Sequence, residues 1–151
     1  MLDVKFFDTV DDSLLKFAVI MARYENGWLF CRHKQRTTWE IPGGHRESSE
    51  AIDDTARREL AEETGAVTFT LQKIGVYGVC SDDTVTCGML YCADVRKLGP
   101  LPPEMEIGEI RICHDLPEAL TYPAIQPALY QKTLEFLQFQ KETNPFLIPT
   151  K

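Results

Sequence analysis

Three glutamates define the chemistry open to this chain. Glu59, Glu62 and Glu63 stand at i, i+3 and i+4, a spacing that brings their carboxylates together if the backbone there is helical. Like charges so placed repel, and near a helix C-terminal end the macrodipole disfavours them further. A sequence accepts such a conflict more readily when something cancels it. Hard cations that seek oxygen, Mg²⁺ or Mn²⁺, match an all-carboxylate donor set. The plain alternative is a solvated acidic face, since charged residues are mostly exposed. The residues around the triplet bear on the choice.

A helix is expected from about Glu50 to Glu63. It holds no Pro or Gly, and Ala51, Ala56, Leu60 and Ala61 are good helix formers. Ser48 or Ser49 offers an N-cap and Gly65 a C-cap. At the helical period Ile52, Ala56, Glu59 and Glu63 share one stripe, with Glu62 beside it. The apolar first half can dock on a sheet, which points the acidic second half into the same crevice. Strands are expected over Leu15–Ala22 and Trp28–Arg32, joined through Glu25-Asn26-Gly27 by the Asn-Gly signal of a tight hairpin. Glu40-Ile41-Pro42-Gly43-Gly44 predicts a tight loop. Val67–Val79 and Thr84–Val95 read as strands joined by Ser81-Asp82-Asp83. Leu98–Pro103 reads as a loop and Ile107–Cys113 as a short strand. A last helix opens at Pro123 or Pro127 and runs to about Lys141, and the tail 144–151 is irregular. This mixture predicts an α/β (α+β) fold, a mixed sheet with helices on its two faces.

The 151 residues suit one domain, 1–151, with a real core. The net charge of −7 speaks against non-specific nucleic-acid binding. It leaves a phosphate substrate open, provided that cations sit between substrate and protein. The five cysteines make no CxxC pair, so neither a zinc knuckle nor a redox pair is suggested. Reduced, mostly buried thiols and a cytoplasmic location are expected. Asp3, Lys5, Asp8, Asp11 and Asp12 interrupt any signal-like apolar run, and no stretch approaches the roughly 20 apolar residues of a membrane helix.

The segment from Gly44 to Ala66 resembles the Nudix box, in which a Gly and a Glu precede R-E-aliphatic-x-E-E-x-G-aliphatic. Its seven fixed positions are filled by Gly44, Glu50, Arg58, Glu59, Glu62, Glu63 and Gly65, and Leu60 fills the first aliphatic slot. Ala66 is smaller than the usual last residue. If each fixed residue occurs at roughly 5–7%, seven coincide at one register about once in 10⁸ or less. Trp39-Glu-Ile-Pro-Gly-Gly44 and Glu106-Ile-Gly-Glu109-Ile-Arg111 extend the likeness.

The resemblance implies a Nudix-type α/β/α sandwich and Mg²⁺- or Mn²⁺-dependent hydrolysis of a phosphoanhydride. It implies that Glu62 and Glu63 are metal ligands and that Glu59 is a ligand or the base. The Gly43 carbonyl would complete the metal shell, Arg58 would orient the glutamates, and Glu50 would support the loop–helix geometry. Such catalysis is mostly positioning and charge stabilisation. Glu109, ahead of Glu106, is the candidate base outside the box. His33, Lys34, Arg36 and Arg46 lie where they could meet substrate phosphates. For any single one of them, solvated loop charge is the preferred reading. Trp39 could stack on a base or pack under the loop. Gly44 is placed with Arg36, Trp39 and Arg46 in the candidate substrate site. His45 could touch phosphate or sit on the loop surface, and His114 is read as structural.

The chain looks most like MutT-type nucleoside triphosphate pyrophosphohydrolases, some of which clear oxidised guanine nucleotides. The expected partner is therefore a small-molecule nucleotide. Nucleic acid enters only as an RNA 5′-end substrate, the nearest rival, and a homodimer stays open. Two non-hydrolytic alternatives share the fold. An isopentenyl-diphosphate isomerase would need its own cysteine and glutamate context, and a nucleotide sensor usually loses the box glutamates that this chain keeps.

Overall fold

A computed structural model describes residues 2–104 and 106–143. In chain order the elements are β1 (Leu2–Phe7), a 3-10 turn (Asp12–Leu14), β2 (Leu15–Tyr24), β3 (Gly27–His33), β4 (Gly43–His45), α1 (Ile52–Thr64), β5 (Ala66–Ser81), β6 (Thr84–Leu98), β7 (Ile107–Cys113) and α2 (Gln126–Thr143). The sheet runs β1-β5-β6-β2-β3-β7, with β4 paired to β2 off that path. Strands β2 and β6 pair in parallel and the other pairs are antiparallel, so the sheet is mixed. One core cluster joins Ile52, Ala56 and Leu60 of α1 to Ala18, Ile20, Leu29 and Tyr91 of the sheet. A second joins Leu129 of α2 to Met21, Trp28, Phe30 and Leu90. The two clusters are the two faces of the sheet, each covered by a helix, as the binary pattern predicts. Burying a side chain of the size of Leu60 is worth about 2 kcal/mol. Among the described residues no helix is long and apolar enough to cross a membrane.

Helix α1 starts two residues later than expected, and neither serine caps it. Ala51 occupies the N-cap position and makes no side-chain cap bond. Ser49 lies in the left-handed region at φ 65°. The turn is held instead by Glu50, whose carboxylate accepts from the Glu47 N–H (3.0 Å) and the Thr55 hydroxyl (2.7 Å). Asp53 and Asp54 in the first turn suit the positive end of the helix. The C-cap is the expected one: Gly65 has φ 77°, and its N–H donates to the Ala61 carbonyl at 2.9 Å.

The β5–β6 hairpin closes at Ser81↔Thr84, which leaves Asp82 and Asp83 as the turn. In the β2–β3 hairpin the turn residues are Glu25 and Asn26, one position earlier than the Asn-Gly reading. Glu25 takes the positive φ of 55°, while Gly27 is already in β3 opposite Tyr24. Gly27 is needed for space, because a Cβ there would lie 2.7 Å from the Ile112 side chain. Helix α2 starts at Gln126, between the two expected prolines, and reaches Thr143. Strand β1 was not foreseen: only alternate residues are partly buried, and its partner, β5, is distant in sequence. The expected irregular tail, 144–151, lies outside the described residues.

The segment Glu40–Gly44 is not a free loop: it bends at Pro42 and is paired to the sheet on either side of that bend. Strands β2 and β3 pair only next to their turn, at Arg23↔Trp28 and Tyr24↔Gly27. Beyond that they splay, and residues 40–45 fill the gap. Glu40 exchanges both backbone hydrogen bonds with Cys31 (2.8 and 2.9 Å), the Ile20 N–H donates to the Pro42 carbonyl (2.8 Å), and Gly43–His45 pair with Phe17–Val19. The polar backbone of the segment is thereby satisfied in a buried place.

Candidate active site

The inserted segment and α1 meet face to face. Gly44 packs against the Glu59 carboxylate so closely that an added Cβ would sit 2.4 Å from Cδ. The Gly43 N–H donates to Glu63 Oε1 at 2.8 Å. The side chains of Glu59 and Glu63 are about one-eighth exposed, at 13% and 12%, and that of Glu62 is 30% exposed. The acidic half of the α1 stripe therefore points into the protein and is not a solvated face.

Arg58 gathers three of the box carboxylates. Its Nε and Nη2 donate to Glu50 at 2.8 and 3.0 Å, and its Nη1 donates to Glu59 at 2.8 Å and Glu62 at 3.1 Å. Nη2 also reaches the His45 carbonyl at 3.0 Å, which ties α1 to β4. The Arg58 guanidinium, the Glu47 N–H and the Thr55 hydroxyl pull the Glu50 carboxyl down to about 2. Glu63 has no such cation. Burial pushes its carboxyl up to about 8, and the nearby charges of Glu59 and Glu40 add to the rise. Burial also raises Glu59, against the pull of Arg58.

Expected convergence of the three glutamates on one point is not what the side chains do. Glu59 and Glu62 turn to Arg58, and Glu63 turns to Gly43. Among the described residues no three His, Cys, Asp or Glu side chains are already arranged to hold a metal ion. The donor chemistry nevertheless fits a hard divalent cation. The groups are carboxylates, two of them are largely shielded from solvent with raised pKa values, and the one guanidinium nearby reaches Glu59 and Glu62 but not Glu63. A buried carboxylate without a cation is a costly arrangement that a bound ion would relieve.

The residues expected at the substrate are divided. The Arg46 guanidinium is committed to structure: it bonds the Glu50 carbonyl (2.6 Å) and the Asp12 carbonyl and carboxylate (both 2.8 Å). Arg36 is partly exposed and pairs with the buried Glu40. Trp39 is buried, with the Arg111 guanidinium 4.2 Å from its ring centre. Gly44 provides space for Glu59. Glu109 is half exposed and pairs with Arg32 at 3.3 Å, so it does not join the glutamates. Glu106 instead reaches the His33 imidazole, 3.5 Å from Nδ1.

Sequence reasoning missed two members of the cluster, Glu40 and Cys31. The Cys31 thiol lies 3.7 Å from Glu63 Oε1, and burial raises its pKa well above the ordinary value. No local pattern signals either residue, because both depend on the insertion of residues 40–45 beside β3.

A family model described as NUDIX domain matches residues 14–135. YtkD of Bacillus subtilis (strain 168), provisionally named an 8-oxo-dGTP diphosphatase, is 34% identical over 106 residues, 70% of this chain and 66% of that protein. A second Bacillus subtilis protein with the same provisional activity name is 36% identical over 59 residues, 39% of this chain and 40% of that one. The chain thus spans 66% and 40% of the lengths of these curated relatives, less than two thirds in each case. Among solved structures, a mutant of the Bacillus subtilis pyrophosphohydrolase BsRppH is similar with a TM-score of 0.73 at 27% identity, covering 89% of this chain and 90% of that one.

Proposed function

Because the chain belongs to the NUDIX family of hydrolases, we propose that it is a divalent-cation-dependent pyrophosphohydrolase of nucleoside triphosphates, releasing the monophosphate and pyrophosphate. The observation that carries this reading is the carboxylate cluster on α1, with Glu59 and Glu63 largely shielded from solvent and packed against the Gly43-Gly44 strand and Glu62 beside them at its edge. The relationship to YtkD supports an oxidised guanine nucleotide such as 8-oxo-dGTP as the substrate.

Glu59, Glu62 and Glu63, with the Gly43 carbonyl, would hold Mg²⁺ or Mn²⁺, which supplies charge neutralisation at the phosphates and activation of water. The chain's own groups divide the remaining work. Arg58 holds Glu59 and Glu62 in place from one side, and the Gly43 N–H holds Glu63 from the other. Glu59, on the same stripe as Glu63, is assigned either as a ligand of the cation or as the acceptor of the proton of the attacking water. Arg36, at the exposed edge of the cluster, is assigned to the phosphates. Glu109 is not assigned the base, because its nearest partner is Arg32.

A second reading, removal of pyrophosphate from RNA 5′ ends, is favoured by the likeness to BsRppH over 89% of the chain. Pyrophosphate release should be measured over a panel of canonical and oxidised nucleoside triphosphates and a 5′-triphosphate RNA, with Mg²⁺ and with EDTA. Fastest Mg²⁺-dependent turnover of an oxidised guanine nucleotide is expected. Preference for the RNA would select the second reading, and release from no member would overturn both.

A further inference from the structure

The cluster has an inner support that lies outside the helix. Strand alternation puts His33 on the same face of β3 as Cys31, and the register with β7 slips by one residue at Gly108, so that His33 lies opposite Ile107. The imidazole is surrounded by carboxylates. Its Nε2 is 3.4 Å from Glu40 Oε1 and 3.7 Å from Glu63 Oε2, and its Nδ1 is 3.5 Å from Glu106 Oε2. Glu40 is itself buried, its backbone is locked to Cys31, and its other carboxylate oxygen is held by Arg36. The imidazole has a carboxylate near each ring nitrogen and is only 20% exposed.

Glu63 is held at Oε1 by the Gly43 N–H. The Cys31 thiol reaches the same oxygen at 3.7 Å, so both contacts fall on Oε1 and the position of Oε2 is left to its own neighbours, since such terminal torsions have broad wells. The group facing Oε2 is His33. Among the described residues His33 is the only basic side chain within ion-pair distance of Glu63, because Arg58 is taken by Glu47, Glu50, Glu59 and Glu62. We propose that His33, steadied by Glu40 and Glu106, is a positioning residue that sets the orientation of the Glu63 carboxylate toward the divalent cation. This rests on the reading of Glu63 as a ligand given above. Groups that orient a ligating side chain from behind commonly matter almost as much as the ligand.

The test is Mn²⁺ titration of the metal-free protein, followed by the electron paramagnetic resonance of free Mn²⁺, alongside kcat, KM and the metal-free melting temperature. His33→Ala should weaken Mn²⁺ binding by about 10- to 100-fold and lower kcat with KM little changed. His33→Gln, which retains a donor, should recover most of the loss. The combination of His33→Ala with Glu63→Gln should bind Mn²⁺ no more weakly than Glu63→Gln alone, because the two act through one carboxylate. Glu40→Gln keeps its volume and removes the anchor of the imidazole. It should weaken Mn²⁺ in the same direction, and it serves if His33→Ala folds poorly. Wild-type Mn²⁺ affinity in His33→Ala or, if that variant does not fold, in Glu40→Gln would overturn the assignment, as would a loss additive to that of Glu63→Gln. If the wild-type protein turns over nucleotide and these variants match it, only the role of His33 falls. If the wild-type protein binds no Mn²⁺ and releases no pyrophosphate, the reading of the glutamates falls with it.

Discussion

Glu50 and Glu63 are both carboxylates of one short segment, and their surroundings drive them in opposite directions. Glu50 is gripped by Arg58 and held near 2, while buried Glu63 is pushed up to about 8. The contrast fits the support role expected of Glu50 and the ligand role proposed for Glu63. Because the folded-state pKa of Glu50 lies below its unfolded value, its contribution to stability is present above about pH 4.5 and is lost as pH falls toward 2. Melting temperatures of wild type and Glu50→Gln between pH 6 and pH 3 should therefore differ most at the upper end and converge on acidification (pH values approximate). Glu63→Gln keeps the acceptor for the Gly43 N–H and removes a charge that burial penalises. Its metal-free melting temperature should not fall, while its turnover should drop by about 100-fold or more. Normal turnover in this variant would contradict the assignment of Glu63.

At the scale of elements, the site is the contact between α1 and the inserted β4 segment. Gly44→Ala would place a Cβ 2.4 Å from the Glu59 carboxyl carbon, so that carboxylate must move. A loss of about 10- to 100-fold in kcat is expected, with the fold retained as judged by circular dichroism. Gly65→Ala tests a different property. At φ 77°, with a Cβ 2.5 Å from the Gly99 carbonyl oxygen, the variant should lose about 1–3 kcal/mol in denaturant melts, and the folded fraction should keep its turnover. The helix, its C-cap and the β5–β6 hairpin were legible in the sequence because their signals are local: helical period, a terminal glycine, a short polar turn. The N-terminus of α1 was misread because no side chain caps it, and Glu50 instead ties the preceding turn to Thr55 and Arg58. The sheet-paired path of Glu40–Gly44 was not legible at all. Pro42-Gly43-Gly44 carries turn-like residues, and only the splaying of β2 from β3 makes room for the two glycines as the start of a strand.

For the whole molecule, the prediction concerns linkage. A cation that binds the folded cluster and not the unfolded chain raises stability by about 2.7 kcal/mol at a hundredfold excess over Kd. For a domain of this size that corresponds to roughly 5–10 °C. Thermal melts with and without Mg²⁺ should show such a rise in the wild type and a much smaller one in Glu63→Gln. Equal shifts in the two proteins would show that Mg²⁺ acts elsewhere. The sandwich makes this coupling direct. The apolar half of α1 is in the core with Ile20 and Leu29, so the acidic half cannot leave the crevice without undocking the helix.

The sequence by itself determined the carboxylate set, its helix and the side of that helix that is buried. These depend on residue type and spacing within one segment, and the box spells them out. Tertiary structure decided which partners those carboxylates meet. Arg46, expected at the substrate, instead braces the 3-10 turn, whereas Cys31, His33 and Glu40 come to Glu63 from strands paired over long sequence separations. The physical reason is that strand register places side chains by pairing with distant residues. A one-residue register slip such as that at Gly108 of β7 changes which residues face each other without leaving any mark in the local pattern.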